Sequence, residues 1–108
     1  MKYEEMSHTQ RIAESGRLRE RHPGSIPVII QCKFLSKKRY LVPHTLTVAQ
    51  FLYTLRGYLT VHASQSLFLF VGNDVLPPAM ATVQLVSDEH LGDDGFLHMR
   101  LEKEKVFG

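Results

Sequence analysis

The run at residues 37–43 constrains the fold most, because it carries large side chains on both faces of a short predicted strand. Side chains alternate across a strand, so Tyr40 and Val42 share one face while Arg39 and Leu41 share the other. The proline that closes the run cannot donate to a ladder, so it favours an edge or a strand end. The pattern predicts an edge strand whose faces help to form two pockets and whose unpaired edge a partner strand extends. An ordinary edge strand with a basic lead-in is the alternative.

The segments on either side of this strand predict a hairpin and a long helix. Residues 26–30 are apolar and β-branched, which favours a buried strand. The connection over residues 32–36 is short, so the two strands should pair antiparallel. Thr47 and Gln50 form a capping-box pattern, and the apolar residues behind them recur at helical spacing. We therefore expect a helix over residues 48–59 that packs across the sheet.

The remaining segments complete an α+β pattern. Residues 10–21 have a thin apolar stripe, which predicts a surface helix. Residues 67–71 form an apolar run that predicts a strand, and residues 82–88 predict a short capped helix. Residues 97–101 alternate between apolar and polar, so we place this last strand beside the first, in the sheet centre. A hairpin, a crossing helix and a central last strand predict the ubiquitin-like β-grasp with an N-terminal helical extension.

The length of 108 residues and the 44% hydrophobic content fit one domain. We predict a single ubiquitin-like domain over residues 1–108. Its expected parts are an N-terminal helical extension at residues 1–22, a β-grasp core at residues 23–101 and a flexible C-terminal tail at residues 102–108.

The charge of the chain is unevenly distributed. Residues 1–39 hold nine Lys or Arg against four Asp or Glu, whereas residues 40–108 hold four against seven. A basic N-terminal third suggests an acidic partner, such as a peptide, an anionic surface or nucleic acid. A solvated basic face without a partner remains the alternative.

The sequence offers little support for catalytic or metal chemistry. A single cysteine, Cys32, excludes an internal disulfide and a cysteine-rich zinc module, and a small buried side chain is its favoured interpretation. The six histidines show no helical pair at metal spacing with carboxylate support, and no nucleophile-elbow motif occurs. No run approaches the ~20 apolar residues needed to cross a bilayer, and the N-terminus lacks a signal-peptide pattern. We therefore predict a protein that is not an enzyme and that binds no metal.

Short motifs in a fixed order connect this chain to a known family. The chain resembles the autophagy ubiquitin-like modifiers, which are relatives of the GABA-receptor-associated protein and of the microtubule-associated-protein light chain. The motifs that carry the resemblance are Arg21-His22-Pro23, Ile26-Pro27-Val28-Ile29, Lys38-Arg39-Tyr40-Leu41-Val42-Pro43, Leu46-Thr47-Val48, Gln50-Phe51, Phe68-Leu69-Phe70-Val71, Leu76-Pro77-Pro78, Glu89-His90, Asp94-Gly95-Phe96-Leu97 and Phe107-Gly108.

The resemblance implies conjugation of Gly108 to phosphatidylethanolamine on the autophagosome membrane. Its implied partners are an activating and a conjugating enzyme and a cysteine protease for processing or delipidation. A glycine lacks a side chain, so a thin tail can thread a narrow enzyme channel. The implied location is the cytoplasm and then the autophagosome membrane, and the conjugated lipid is the only implied cofactor.

The resemblance also implies that cargo receptors and adaptors dock on the edge strand through an aromatic-x-x-aliphatic motif with acidic neighbours. It implies lysine or arginine contacts to those neighbours from Arg21, Lys37 and Lys38. We expect Tyr40 and Leu41 to lie at the surface, so that replacing both by alanine removes binding without unfolding. The implied aromatic pocket comprises Glu14, Leu18, Pro27, Ile29, Arg39, Leu41 and Phe96. The implied aliphatic pocket comprises Tyr40, Val42, Pro43, Leu46, Phe51 and Leu55.

Two alternatives remain open. One is an unconjugated ubiquitin-like domain that binds acidic peptides, tubulin or RNA, although we expect no nucleic-acid partner. The other is the sister autophagy modifier that is joined to a protein lysine, against which residues 39–43 and 76–78 argue. The N-terminus and the first hairpin are shorter than the family pattern, and Thr54 stands where an aliphatic residue is usual, so the peptide preference is expected to differ.

Overall fold

Capping residues and turns define the helices and strands of this chain. The computed structural model describes residues 1–59 and 65–104. Its elements in chain order are a 3₁₀ turn at Tyr3–Glu5, α1 at His8–Arg21, β1 at Ser25–Gln31, β2 at Arg39–Pro43, α2 at Val48–Arg56, β3 at Leu67–Val71, α3 at Val83–His90 and β4 at Leu97–Lys103.

The four strands form one mixed sheet in the order β2-β1-β4-β3. The pair β1–β2 is antiparallel, the central pair β1–β4 is parallel and the pair β3–β4 is antiparallel. The prediction of a ubiquitin-like fold with β4 beside β1 is therefore confirmed. Pro27 is tolerated inside β1 because its ring nitrogen faces the β4 side, where pairing begins only at Val28.

The hydrophobic core lies between the sheet and the helices α2 and α3. Helix α2 buries Val48, Phe51 and Leu55 against the sheet, and α3 adds Val83 and Val86. The opposite face of the sheet carries α1, which contacts β1 and the turn before β4. The fold therefore presents two differently packed faces at the β2 edge, as the two-faced strand pattern predicts.

The predicted caps of α2 and α3 are confirmed, whereas the end of α2 differs from its prediction. Thr47 and Gln50 form the expected capping box, and Thr82 caps α3. Helix α2 ends at Arg56 and not at residue 59, because the amides of Gly57 and Tyr58 bond to carbonyls only three residues back.

Strand β4 extends two residues beyond its predicted end. Glu102 and Lys103 pair with Phe68 and Leu67 of β3. The predicted flexible tail from residue 102 is therefore wrong for these two residues. Pairing between strands uses backbone groups and needs no apolar side chain. The charged residues at 102 and 103 therefore gave no sign that β4 continues. Residues 105–108 lie outside the described part of the chain.

Candidate functional site

The outer edge of β2 displays unpaired backbone groups. The amide of Ile30 donates to the carbonyl of Lys38 at 2.7 Å, and the amide of His44 donates to the carbonyl of Gly24 at 3.0 Å. Alternation along an antiparallel ladder then turns the backbone groups of Arg39 and Leu41 away from β1. Within residues 1–59 and 65–104, no strand pairs with this edge. The edge can therefore accept an additional strand.

The residues of the implied aromatic pocket meet on the α1 side of this edge. Leu41 is 37% exposed, whereas Ile29, Pro27 and Phe96 are buried beneath α1. Leu18 is half-buried on α1. The fold therefore assembles an apolar floor from β1 and from Phe96, which directly precedes β4, with Leu41 at its exposed rim.

A charged cluster links α1 to β2 at the mouth of this pocket. Glu14 pairs with Arg17, and its Oε1 lies 3.8 Å from Nη1 of Arg39. The hydrogen bond from Arg17, followed by the attraction of Arg17 and Arg39, holds the pKa of Glu14 below its usual value although burial opposes this shift. Nη1 of Arg39 is buried and has no hydrogen-bond partner among the described residues. The Arg39 side chain as a whole is 37% exposed, so it is this exposed part, and not Nη1, that an acidic group of a ligand can reach.

The residues of the implied aliphatic pocket belong largely to the core. Val42, Phe51 and Leu55 are buried, Leu46 is half-buried, and only Pro43 is exposed. The pocket is therefore closed in this structure, with Pro43 and Leu46 at its surface.

The prediction that Tyr40 lies at the surface is wrong. Its side chain is only 6% exposed, its ring contacts that of Phe51 edge-on at 6.0 Å, and its hydroxyl donates to the carbonyl of Lys37. Burial raises the pKa of Tyr40 to about 12, with further contributions from Tyr58 and Cys32. Replacing Tyr40 by alanine should therefore destabilise the fold. Of the two residues, only Leu41 can be replaced without disturbing the core.

The residues expected to contact acidic neighbours have different environments. Arg21 and Lys37 are exposed, and Lys37 Nζ lies 4.8 Å from the centre of the Tyr40 ring. Lys38 is half-buried and donates to the carbonyl of Cys32. Two of the three cations are therefore accessible, and Lys37 lies two residues before β2. Gly108 lies outside the described residues.

A second polar cluster, which sequence patterns did not reveal, joins the N-terminus to the turn before β4. The hydroxyl of Tyr3 donates to Oδ2 of Asp94 at 2.6 Å, and Nε2 of His98 lies 2.9 and 3.0 Å from the two carboxylate oxygens. The amide of Phe96 also donates to this carboxylate. Burial followed by the bond to Asp94 raises the pKa of Tyr3 to about 12. The only sequence signal was an aromatic residue within a charged N-terminus.

The Asp94 carboxylate is nearly inaccessible, and its ionisation contributes to stability. Burial alone would raise its pKa, but hydrogen bonds from Tyr3, the Phe96 amide and His98 outweigh burial and hold the pKa below the usual value. Because the pKa of Asp94 is lower in the folded chain, its ionisation stabilises the fold at pH values above the unfolded-state pKa of about 3.9. That contribution disappears as the pH falls through the lower folded-state pKa.

We expect Asp94→Asn to reduce the free energy of unfolding at neutral pH by about 1–3 kcal/mol, because it weakens a buried hydrogen-bonded cluster. At about pH 3, where the unfolded carboxyl is largely protonated, the difference from the unmodified chain should shrink. Urea unfolding at both pH values measures this effect. Asp93→Asn, at the exposed neighbouring position, is the control. A destabilisation by Asp94→Asn that is independent of pH would contradict the assignment.

In the described ranges, no group of three or more His, Cys, Asp or Glu is placed to hold a metal ion. None of the described helices combines the length and hydropathy required to cross a bilayer.

Comparison with known proteins identifies the family. A family model described as "Autophagy protein Atg8 ubiquitin like" matches residues 10–108. The chain belongs to the Atg8 family. This family consists of ubiquitin-like modifiers of autophagy, so the resemblance drawn from the motifs is confirmed.

Atg8 relatives match over most of the chain. Autophagy-related protein 8a of Arabidopsis thaliana is 41% identical over 104 residues, which span 91% of this chain and 84% of the relative. Autophagy-related protein 8 of Schizosaccharomyces pombe is 36% identical over 111 residues, with coverages of 97% and 91%.

Solved Atg8 structures share the fold. The crystal structure of Trypanosoma brucei ATG8 superimposes with a TM-score of 0.88 at 30% identity, and the match covers 98% of this chain and 96% of that chain. Plasmodium falciparum Atg8, solved in complex with a Plasmodium falciparum Atg3 peptide, superimposes with a TM-score of 0.80 at 26% identity and 92% coverage of both chains.

Proposed function

We propose that this Atg8-family chain is joined through Gly108 to phosphatidylethanolamine and uses the β2 edge to recruit partners. These partners are cargo receptors and adaptors that carry an aromatic-x-x-aliphatic motif. The chain would act in the cytoplasm and then on the autophagosome membrane. The observation that carries the docking proposal is the edge of β2, with which no strand of the described residues pairs and beside which Leu41 is exposed.

The two faces of the edge support recognition of two anchors. The aromatic anchor would meet the apolar floor at Ile29 and Phe96, and the aliphatic anchor would sit near Pro43 and Leu46. Acidic residues of the ligand would approach Lys37 and the guanidinium of Arg39, which Glu14 only partly neutralises. Plasmodium falciparum Atg8 was solved in complex with an Atg3 peptide, which supports the choice of a short peptide as the first ligand to test.

The expected affinity follows from opposing contributions. Burial of two anchors contributes about 1.5–3 kcal/mol each. A few ladder hydrogen bonds add about 0.5–1.5 kcal/mol each. Ordering the peptide costs about 2–5 kcal/mol or more. We therefore expect reversible binding with a Kd in the micromolar range.

We expect Leu41→Ala to weaken binding of an acidic peptide that contains the motif by about tenfold or more, because it removes an exposed apolar contact from the docking edge. Calorimetric titration gives the Kd, and urea unfolding should show little change in stability. Leu91→Ala, at an exposed leucine that follows α3, is the matched control. Unchanged affinity for Leu41→Ala would refute docking at this edge.

The proposed conjugation uses the terminal carboxylate as the reacting group. ATP would adenylate the Gly108 carboxylate with release of pyrophosphate, and a cysteine thiolate of the activating enzyme would displace AMP to form a thioester. A second thiolate, on the conjugating enzyme, would take over the acyl group. The amine of phosphatidylethanolamine would finally displace that thiol and form an amide, so the chain itself supplies only the carboxylate.

Reconstitution with the family's activating and conjugating enzymes, ATP and phosphatidylethanolamine vesicles distinguishes this proposal from an unconjugated binding domain. A lipid adduct that forms only with ATP supports conjugation. Peptide binding without any adduct would leave the binding domain as the better account. A cysteine protease that removes the lipid from the adduct is the remaining partner that we propose.

A further inference from the structure

The connection between β1 and β2 carries only positive charge. Residues 32–38, which we call the hairpin loop, hold Lys33, Lys37 and Lys38 and no Asp or Glu. Lys38 is half-buried and donates to the carbonyl of Cys32, whereas Lys33 and Lys37 are exposed. None of the salt bridges among the described residues involves either exposed lysine. The hairpin loop therefore presents two cations to solvent.

The sheet topology places the hairpin loop at the end of the sheet from which the C-terminal residues continue. Strands β1 and β4 are parallel, with Gln31 opposite Arg100, so both strands finish at the same end. The Nζ of Lys103 lies 4.3 Å from the centre of the Phe34 ring, so the end of β4 contacts the loop directly. A cleft of about 650 Å³ is lined by residues of both segments. The hairpin loop and the end of β4 therefore form one continuous surface.

The proposed attachment point lies within short reach of this surface. Glu104 directly follows β4, and its amide donates to the carbonyl of Ser66 at 2.9 Å, so the backbone is still held beside β3 at this point. Gly108 comes four residues later, and four fully extended residues span at most about 14 Å. A membrane lipid joined to Gly108 would therefore bring the surface of the bilayer close to the hairpin loop.

The charges at this end of the sheet favour an anionic surface. At the end of β4, Arg100 and Lys103 are balanced by Glu102 and Glu104, and Arg100 donates to Glu102 at 3.1 Å. Glu4 adds one carboxylate to the lining of the cleft. The lysines of the hairpin loop outnumber this single carboxylate. A cationic segment next to a membrane attracts the anionic lipids of the cytoplasmic leaflet, so the expected partner is an anionic phospholipid surface.

The apolar residues of the hairpin loop are committed to the fold. Leu35 is 3% exposed, and Phe34 packs against the core and lies beneath the Lys103 ammonium group. Neither side chain is free to enter the acyl region of a bilayer. The contact with lipid would therefore be electrostatic, and it should weaken as salt screens the charges.

We propose that the hairpin loop is the membrane-facing surface of this chain and that Lys33 and Lys37 contact anionic lipid headgroups. The inference rests on the proposed conjugation for the approach to the membrane, and it adds the orientation of the attached chain. Strand β2 starts directly after the loop and runs away from it. The docking edge would therefore stand upright on the membrane and stay open to partners.

The test is the binding of the full, unconjugated chain to vesicles of equal parts phosphatidylcholine and phosphatidylserine, measured by flotation. We expect Lys33→Gln to weaken this binding by about fivefold, the usual contribution of one lysine beside an anionic surface. Thr45→Glu is the matched control, because it lowers the net charge by the same amount at an exposed position. Thr45 lies in the turn after β2, at the opposite end of the sheet, so this variant should bind almost as well as the unmodified chain.

The same variant distinguishes a lipid surface from an acidic peptide as the partner of the loop. Lys33 is not among the cations proposed to meet the acidic residues of a motif peptide, so Lys33→Gln should leave the Kd of that peptide unchanged in calorimetric titration. Loss of peptide affinity with unchanged vesicle binding would overturn the membrane-facing loop. Vesicle binding that persists at about 1 M salt, where the screening length is about 3 Å, would contradict an electrostatic contact.

The result is separable from that of the conjugation reaction, since these vesicles contain no phosphatidylethanolamine and no enzyme is added. Vesicle binding that depends on Lys33, without any lipid adduct in the reconstituted reaction, refutes conjugation and leaves the loop as a surface for reversible membrane binding. A lipid adduct, together with vesicle binding that is absent or equal in Lys33→Gln and Thr45→Glu, overturns the loop and leaves conjugation intact. Urea unfolding of both variants verifies that the fold persists.

Discussion

Replacement of Gly108 by alanine is expected to abolish the lipid adduct in a reconstituted conjugation reaction. The methyl group restricts the backbone angles of the last residue and widens a tail that must reach the active centres of two enzymes. The acyl carbon would lie directly beside the added Cβ atom, so each transfer step is affected. Gel mobility and intact mass measure the adduct after incubation with both enzymes, ATP and phosphatidylethanolamine vesicles.

Gly16→Ala is the matched control for this experiment. Gly16 is exposed on α1, and beyond the backbone of its own helix and its chain neighbours no atom of the described residues lies within 4 Å of the position that its Cβ would take. This variant should be conjugated as well as the unmodified chain. If Gly108→Ala forms as much lipid adduct as the unmodified chain, the proposed role of Gly108 is wrong. This result would not depend on whether peptides bind at the β2 edge.

Gly95→Ala is expected to destabilise the fold by about 3 kcal/mol or more, through backbone strain and overpacking. Gly95 has a φ of 86°, which side chains rarely adopt, and an added Cβ would overlap Oγ of Ser15 and lie 2.9 Å from its Cβ. Ser15 is buried on α1 and donates to the carbonyl of Asp94 at 2.8 Å, while Arg19 donates to the carbonyl of Gly95. The added methyl group therefore pushes α1 away from the turn that holds it.

Urea unfolding measures this loss, and Gly16→Ala again provides the comparison. That change should raise the free energy of unfolding by about 0.5–1 kcal/mol, because alanine is the better helix former at an unobstructed position. Alanine at Gly16 is thus predicted to raise the free energy of unfolding, and alanine at Gly95 is predicted to lower it. Stability of Gly95→Ala equal to that of the unmodified chain would show that the α1 contact tolerates a shift.

The secondary structure was accessible from the sequence because its signals are local. The capping box at Thr47 and Gln50, the alternation along β2 and the apolar run of β3 each depend on neighbours within a few residues. The errors occurred at element ends, where α2 stops three residues early and β4 continues to Lys103. Those ends are set by backbone hydrogen bonds, which the pattern of apolar and polar side chains does not reveal.

The candidate site was only partly accessible from the sequence. Alternation placed Tyr40 and Leu41 on opposite faces, but it could not show that Tyr40 is sealed by Phe51 of α2 while Leu41 stays exposed. The contacts of Tyr3 with Asp94 and Phe96 join residues 91 or more positions apart, beyond any periodicity. The pocket assignments drawn from the family resemblance stay predictions.

The sequence alone determined the order of strands and helices, the two-faced edge strand and the membership of the Atg8 family, because each is encoded in short patterns that are read in chain order. Only the tertiary structure decided which side chains remain accessible at that edge and that Tyr3 lies against Asp94 and Phe96. Accessibility depends on what packs above a residue, and α1, α2 and the turn at Asp94 come from distant parts of the chain. Which part of the edge a partner can reach is therefore a property of the assembled fold.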